Sequence, residues 1–183
     1  MPAQTVLGLI VAMLLEQAGR AAGYYRAAML APWFAPSLIM AATWRWILEP
    51  EFGTASSLVG RRVDWLADGL SAQLVTAAVL VWAGVGYSSL FFTVALRAVP
   101  PAILDAAALD GAGIWVRTSH IVLPSIRPML GFVLLTSTAQ ALTTFDAVVG
   151  LTGGGPDGAT EVLALRMYRP ARIPRPLLAV PPA

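Results

Sequence analysis

From Ser71 to Leu96 the chain runs without one acidic or basic side chain, and this stretch restricts the fold more than any other. A helix needs about 20 apolar residues to cross a hydrocarbon core, and inside that core every backbone amide must bond within its own segment. A second run, Met129 to Leu151, is interrupted only by Asp146 near its end. A third, Ala27 to Leu48, holds Pro32 and Pro36 and finishes on Trp44-Arg45-Trp46. Aromatics mark the interface there, and Arg45 reads as an anchor that snorkels outwards. Ala3 to Leu15 forms a shorter fourth run before Glu16. Its positive charges, Arg20 and Arg26, follow it, the reverse of a signal peptide, so it reads as a span with a shortened beginning. The expected fold class is all-α: a polytopic transmembrane helix bundle of about four spans.

Composition narrows the chemistry. Only 12% of the 183 residues are charged, against about 25% in a soluble domain, and the mean hydropathy is +0.71. There is no cysteine and no lysine, so neither a disulfide frame nor a Walker A phosphate loop can be built. No cofactor is expected, and any ATP must be bound by a partner. The net charge of +2 gives no support to nucleic-acid binding. Arginines bias the orientation. Arg20, Arg26, Arg97, Arg117 and Arg127 fall in two inter-span loops, against Arg61 and Arg62 in the loop Glu49 to Gly69. The first two loops therefore read as cytoplasmic.

The polar stretch between the two longest runs is patterned. Pro100 and Pro101 stop the preceding helix. Asp105 is expected in the first turn of a short helix, where exposed amides favour a carboxylate, followed by the helix formers Ala106, Ala107, Ala108 and Leu109. Gly111 and Gly113 break that helix, a second piece covers Ile114 to Val122, and Pro124 suits the start of the next long helix. The stretch 100–128 thus reads as a folded helix–turn–helix element.

The spacing Asp105-Ala106-Ala107, then Gly111, then Ile121 and Leu123-Pro124, resembles the EAA loop of binding-protein-dependent ABC importer permeases. Val99-Pro100, Asp110-Gly111-Ala112, Trp115 and Pro128 extend the match, while Asp105 stands where the family usually has Glu. The resemblance implies that 100–128 is a cytoplasmic coupling loop whose short helix docks on an ATPase subunit. Asp105, Ala106, Ala107, Leu109, Asp110, Gly111, Ile121, Leu123 and Pro124 would be the coupling residues. ATP-driven closure of the ATPases would move the helix Leu104 to Gly111 as a lever. Ala31-Pro32-Trp33 to Trp46, Phe52-Gly53, and the segment Phe145 to Pro156 with Ala159-Thr160-Glu161 resemble the sugar-transport branch, of maltose, trehalose and glycerol-phosphate type. The triple glycine lacks the Gly-Lys-Ser/Thr ending of a phosphate cradle and reads as a surface turn.

The same resemblance implies a substrate pathway along the third and fourth spans, with Leu80, Gly84, Tyr87, Ser137, Ala141 and Thr144 at the matching offsets and Gln140 in the same stripe. Tyr87 would stack on a sugar ring, and Ser137 and Thr144 would offer hydroxyls. The alternative for each is interhelical packing, with hydroxyls bonded to their own helix. Partners implied are ABC ATPase subunits, a second permease subunit, an extracytoplasmic solute-binding protein and the bilayer, in the cell (inner or plasma) membrane of a prokaryote.

Residues 1–168 read as a partial permease domain. From Arg169 the sequence RPARIPRPLLAVPPA carries five prolines, which a spanning helix does not tolerate, and composition gives a disordered tail over 169–183. Relatives continue into another span, so the chain reads as lacking the family's first and last helices, from a truncated gene or shifted frame. The expected function is the permease subunit of an ATP-driven importer for a sugar or related polyol. The alternative is a truncated, transport-inactive membrane protein that keeps the ATPase-docking loop. An enzyme is not expected: His120, the one histidine, lies in the loop beside Arg117 and away from any serine–acid pair.

Overall fold

The computed structural model describes residues 1–168, with Arg20 by its backbone alone; the tail 169–183 lies outside the described residues. Those residues contain helices and turns and no strand. Helices α1 (Pro2–Gln17), α2 (Ala22–Phe34), α3 (Ser37–Ile47) and α4 (Thr54–Val59) precede the long α5 (Gly69–Arg97). After it come α6 (Pro101–Leu109), α7 (Ile114–Arg117), a π turn (Thr118–Val122), α8 (Leu123–Ser125), α9 (Arg127–Thr143), α10 (Asp146–Leu151) and α11 (Leu163–Tyr168). They form two compact units, Met1–Pro36 with Ala77–Ala141, and Ser37–Thr76 with the chain from Leu142.

Among the described residues one helix, α5, is long and apolar enough to cross a membrane, and the number rises to three if each interrupted pair is one span. The expected four are corrected at three places. Helix α1 has 16 residues and falls short of a crossing. The run Ala27 to Leu48 breaks at Ala35, which is extended (φ −71°, ψ 137°), because the ring of Pro36 excludes its neighbour from helical geometry. Pro32 stays inside α2. The run Met129 to Leu151 breaks after Thr143, where the β-branched pair Thr143-Thr144 weakens the helix and Asp146 opens α10 with a carboxylate in its first turn.

In the first unit, α1 runs alongside α5 in the same direction. Gln4 Nε2 donates to Gly84 O at 3.0 Å and to Ser88 Oγ at 3.1 Å, while Ala12 packs with Phe92 and Val133 of α9. Glycines make this approach possible. A Cβ on Gly84 would overlap the Gln4 amide, one on Gly8 would overlap Ser88, and one on Gly86 would overlap the carbonyl of Met29 in α2. Gly131 of α9, by contrast, has nothing within 4 Å.

In the second unit α3 packs on α10. Gly150 lies where a Cβ would sit 2.8 Å from Ala41 Cβ, and Met40, Ala147, Val148 and Leu151 are buried with them. Asp68 caps α5, accepting Ser71 N–H at 3.2 Å and Leu70 N–H at 3.3 Å. The bond from Ser71, then that from Leu70, holds its carboxyl below the ordinary carboxylate range. The cap is therefore at full strength above that range and is lost as pH falls through the lowered value. The glycine turn is tied by its threonines. Thr160 Oγ1 donates to Gly155 O at 2.8 Å, Gly154 N–H donates to Thr152 Oγ1 at 3.2 Å, and the two hydroxyls meet at 2.6 Å.

Two alanine substitutions test the glycine contacts. Gly86→Ala is expected to destabilise the protein by about 1–3 kcal/mol, through overpacking against rigid backbone. Gly131→Ala gains about 1 kcal/mol of helix propensity at an open site. Unfolding in detergent micelles reads both, and equal responses would contradict the assigned α2–α5 contact.

Candidate functional site

The element between α5 and α9 begins one turn earlier than its sequence suggests. Pro100 caps α6 in extended geometry and Pro101 takes the first helical position, where its missing amide costs nothing. Asp105 is consequently in the second turn, beyond the amides of the first, and the helix is Pro101–Leu109 and not Leu104–Gly111. Its end is a Schellman motif: Gly111 N–H donates to Ala108 O at 3.1 Å and Ala112 N–H to Ala107 O at 2.9 Å. Gly111 sits at φ +78°, a left-handed conformation that costs an L-residue about 1–2 kcal/mol.

The second piece follows its expected course to Val122 but does not stop there. Helical backbone runs from Ile114 through the π turn to Ser125. Pro124 therefore lies inside a short continuation, and the long helix starts at Arg127 after a 67° bend. Pro128 lacks the amide that would carry the ladder across the bend, and the side chain of Ile126 is buried at it.

What distinguishes the element is its surface. No residue of α6, α7 or the π turn is buried. Leu109 is 91% exposed and Trp115 83%, and Ile103, Ile114 and Val116 are exposed beside them. Asp105, Ala106, Asp110 and Gly111 are exposed, as is Leu123; Ala107, Ile121 and Pro124 are half-buried. Sequence reasoning counted Leu109 and missed Ile103, Ile114 and Val116, although their apolar character within a polar loop was a usable signal. His120 Nδ1 lies 2.8 Å from Ser119 Oγ. That hydroxyl lies 2.8 Å from Trp115 O, to which it donates, and both residues are exposed, so the pair reads as local helix bonding.

The substrate-pathway candidates have different surroundings within their own units. Gly84 is buried beneath Gln4. Tyr87 stacks on Trp33 with ring centroids 4.5 Å apart and meets Phe91 in a tilted contact at 4.8 Å, and Phe91 continues to Phe132 at 5.3 Å. Leu80, Gln140 and Ala141 are half-buried on α5 and α9. Thr144 lies past the end of α9 and in the second unit, so the expected stripe ends one turn early. Ser137 is 1% exposed and its Oγ has no hydrogen-bond partner. Gln4 was not singled out from sequence and Trp33 only as part of the family-like segment from Ala31, since nothing local marks a residue whose partner is a distant glycine or tyrosine. In the second unit Arg45 lines a cleft of about 400 Å³ with Glu49 and Asp64.

Residues 4–180 match the profile of the binding-protein-dependent transport system inner membrane component family. The chain is 35% identical over 169 residues to the trehalose/maltose transport system permease protein MalF of Thermococcus litoralis, covering 90% of this chain and 57% of that protein. It is 34% identical over 166 residues to the sn-glycerol-3-phosphate transport system permease protein UgpA of Agrobacterium fabrum, covering 88% and 57%. The chain thus spans somewhat more than half the length of the curated relatives it matches. In fold it is similar to a chain of a bacterial ABC transporter involved in import of the acidic polysaccharide alginate, with TM-score 0.81, 20% identity and coverage of 91% of this chain and 60% of that one. A second structure, of the alginate transporter in complex with its pentasaccharide-bound periplasmic protein, gives TM-score 0.76 and 22% identity over 92% and 59%.

Two serines of the first unit separate packing from function. Ser88→Ala removes one of the two acceptors of the Gln4 amide and is expected to cost about 1 kcal/mol. Ser137→Ala removes an unpaired buried hydroxyl and is expected to leave the unfolding midpoint in micelles unchanged or higher. A loss at Ser137 as large as that at Ser88 would mean its hydroxyl is bonded within the fold.

Proposed function

Because the chain belongs to the family of binding-protein-dependent transport system inner membrane components, we propose that it is a permease subunit of an ATP-driven importer for a sugar or related polyol. It works as one of two permease chains in the inner or plasma membrane of a prokaryote. Paired ATPase subunits dock on the loop 100–128, and an extracytoplasmic binding protein delivers the substrate. Trehalose, maltose and glycerol 3-phosphate are the first compounds to test, since relatives carry those names. The chain contributes no catalytic step in this reading; hydrolysis belongs to the ATPase, and transport follows from alternating access.

One observation carries the docking assignment: the exposed apolar side chains of α6 and α7, headed by Leu109 and Trp115. Short helices with nothing buried beneath them gain little from their own chain, and a docked ATPase would supply the burial that orders them. Asp105, Ala106, Ala107, Asp110 and Gly111 belong to this contact. Ile121, Leu123 and Pro124 belong to the stem that connects it to α9. The pathway side chains are Leu80, Tyr87, Ser137, Gln140, Ala141 and Thr144; Gly84 contributes by admitting Gln4.

The lever reading is tested on the loop. Leu109→Asp and Ala107→Asp are expected to weaken ATPase docking at least tenfold, because each places a charge in an apolar contact. Gly111→Pro is expected to abolish substrate-stimulated ATP hydrolysis while membrane insertion persists, because proline can neither adopt the left-handed φ nor donate to Ala108 O. Uptake and ATPase stimulation in proteoliposomes measure these effects. Normal uptake by all three variants, in a complex whose unaltered form transports, would refute the assignment.

A further inference from the structure

At one end of the first unit three helices meet on a single carboxylate. Glu16, in the last turn of α1, accepts Arg26 Nη2 of α2 at 2.7 Å and Arg97 Nε of α5 at 3.0 and 3.2 Å. The Glu16 and Arg26 side chains are mostly covered, at 29% and 20% exposure, whereas Arg97 is 58% exposed. The placement does not serve α1 itself, since a carboxylate near a helix C-terminus opposes the macrodipole. Arg97, in contrast, is favoured where it stands, as the last residue of α5. Two residues later Val99 is buried and the chain turns through Pro100 into α6. Force applied to α6 therefore reaches α5 through a stiff, proline-bounded connection, and the first side-chain tie it meets is Arg97 to Glu16.

We propose that Glu16 is a positioning residue for transport: its carboxylate locks α1, α2 and α5 together at the base of the loop, so that displacement of α6 moves the three helices as one body. The proposal rests on the lever reading of that loop. It separates two properties that a purely structural ion pair would not. Arg97 is 58% exposed, so its bond to Glu16 adds little to stability, and Arg97→Gln leaves a folded chain while removing the link along which displacement travels. The ring stack between Trp33 and Tyr87 and the glycine contact at Gly86 still hold α2 near α5 when the clamp is gone. What is lost is coupling at the loop-proximal end.

The experiment compares Glu16→Gln, Arg97→Gln and the double variant with the unaltered full chain, co-assembled with its ATPase and second permease subunits. Substrate-binding protein loaded with trehalose, maltose or glycerol 3-phosphate serves as the probe. Recovery of the ATPase with the tagged chain reports docking, and uptake per ATP hydrolysed reports coupling. Unaltered docking is expected in every variant, with uptake per ATP reduced about tenfold in each single variant and no further in the double, within the usual range of coupling energies. Rescue distinguishes linkage from charge. The chain has no cysteine, so Glu16→Cys with Arg97→Cys, bridged by a short reducible bis-thiosulfonate, is expected to regain coupling and to lose it again on reduction. Single variants that transport at the unaltered stoichiometry, or a bridged pair that stays uncoupled, overturn the clamp. Failure of the unaltered chain to recover the ATPase overturns the docking reading on which the clamp depends.

Discussion

The Met29 carbonyl rests against Gly86 at a point where any Cβ would overlap it, and Gln4 lies across Gly84 with its amide donating to the Gly84 carbonyl. These two contacts determine how closely α1 and α2 approach α5, and the packing of the first unit follows from them. Between helices in an apolar solvent there is little hydrophobic gain from association, so close backbone approach and a few polar bonds must supply it. The Gln4 bonds to Gly84 and Ser88 are the polar part. The Trp33–Tyr87–Phe91–Phe132 series extends the contact along α5 and over to α9.

Sequence periodicity served best where the chain is least interrupted. The run Ser71 to Leu96 became α5 with two residues added before it and one after, because no proline or charge competes with helix there. The same reasoning failed at Ala35 and at Thr144, where it counted apolar residues and gave too little weight to local backbone chemistry. Pro32 and Pro36 look alike in composition, yet Pro32 is carried inside α2 and Pro36 ends it. The helix resumes at Ser37, directly after the proline.

The loop was legible in outline and misread in register. Gly111 was marked as a helix breaker, and the left-handed C-terminal cap is the physical form of that break. A first-turn position for Asp105 starts α6 too late, because Pro101 is the residue whose geometry fits the first position. The substrate-pathway residues were the least legible. Their spacing along a helix could be read, but what covers each one depends on residues eighty positions away, as Gln4 is from Gly84.

The contrast between the two ends of α6 bears on how such a loop transmits motion. At its start, Pro100 and Pro101 fix two φ angles and Val99 is buried, so the junction with α5 has few conformations available. At its finish the Schellman motif closes on Gly111, and beyond it Gly113, with nothing within 4 Å of a Cβ, carries glycine's wide conformational range. A helix stiffly joined at one end and loosely at the other turns about the stiff junction when its free surface is held, and the exposed Leu109 lies at the loose end. Displacement then passes to α5 more directly than to α9, which is reached only through the π turn and the 67° bend at Ile126. In the lever role proposed for the loop, α5 would take the first share of any work done on it, and the helices seated on its glycines would move with it.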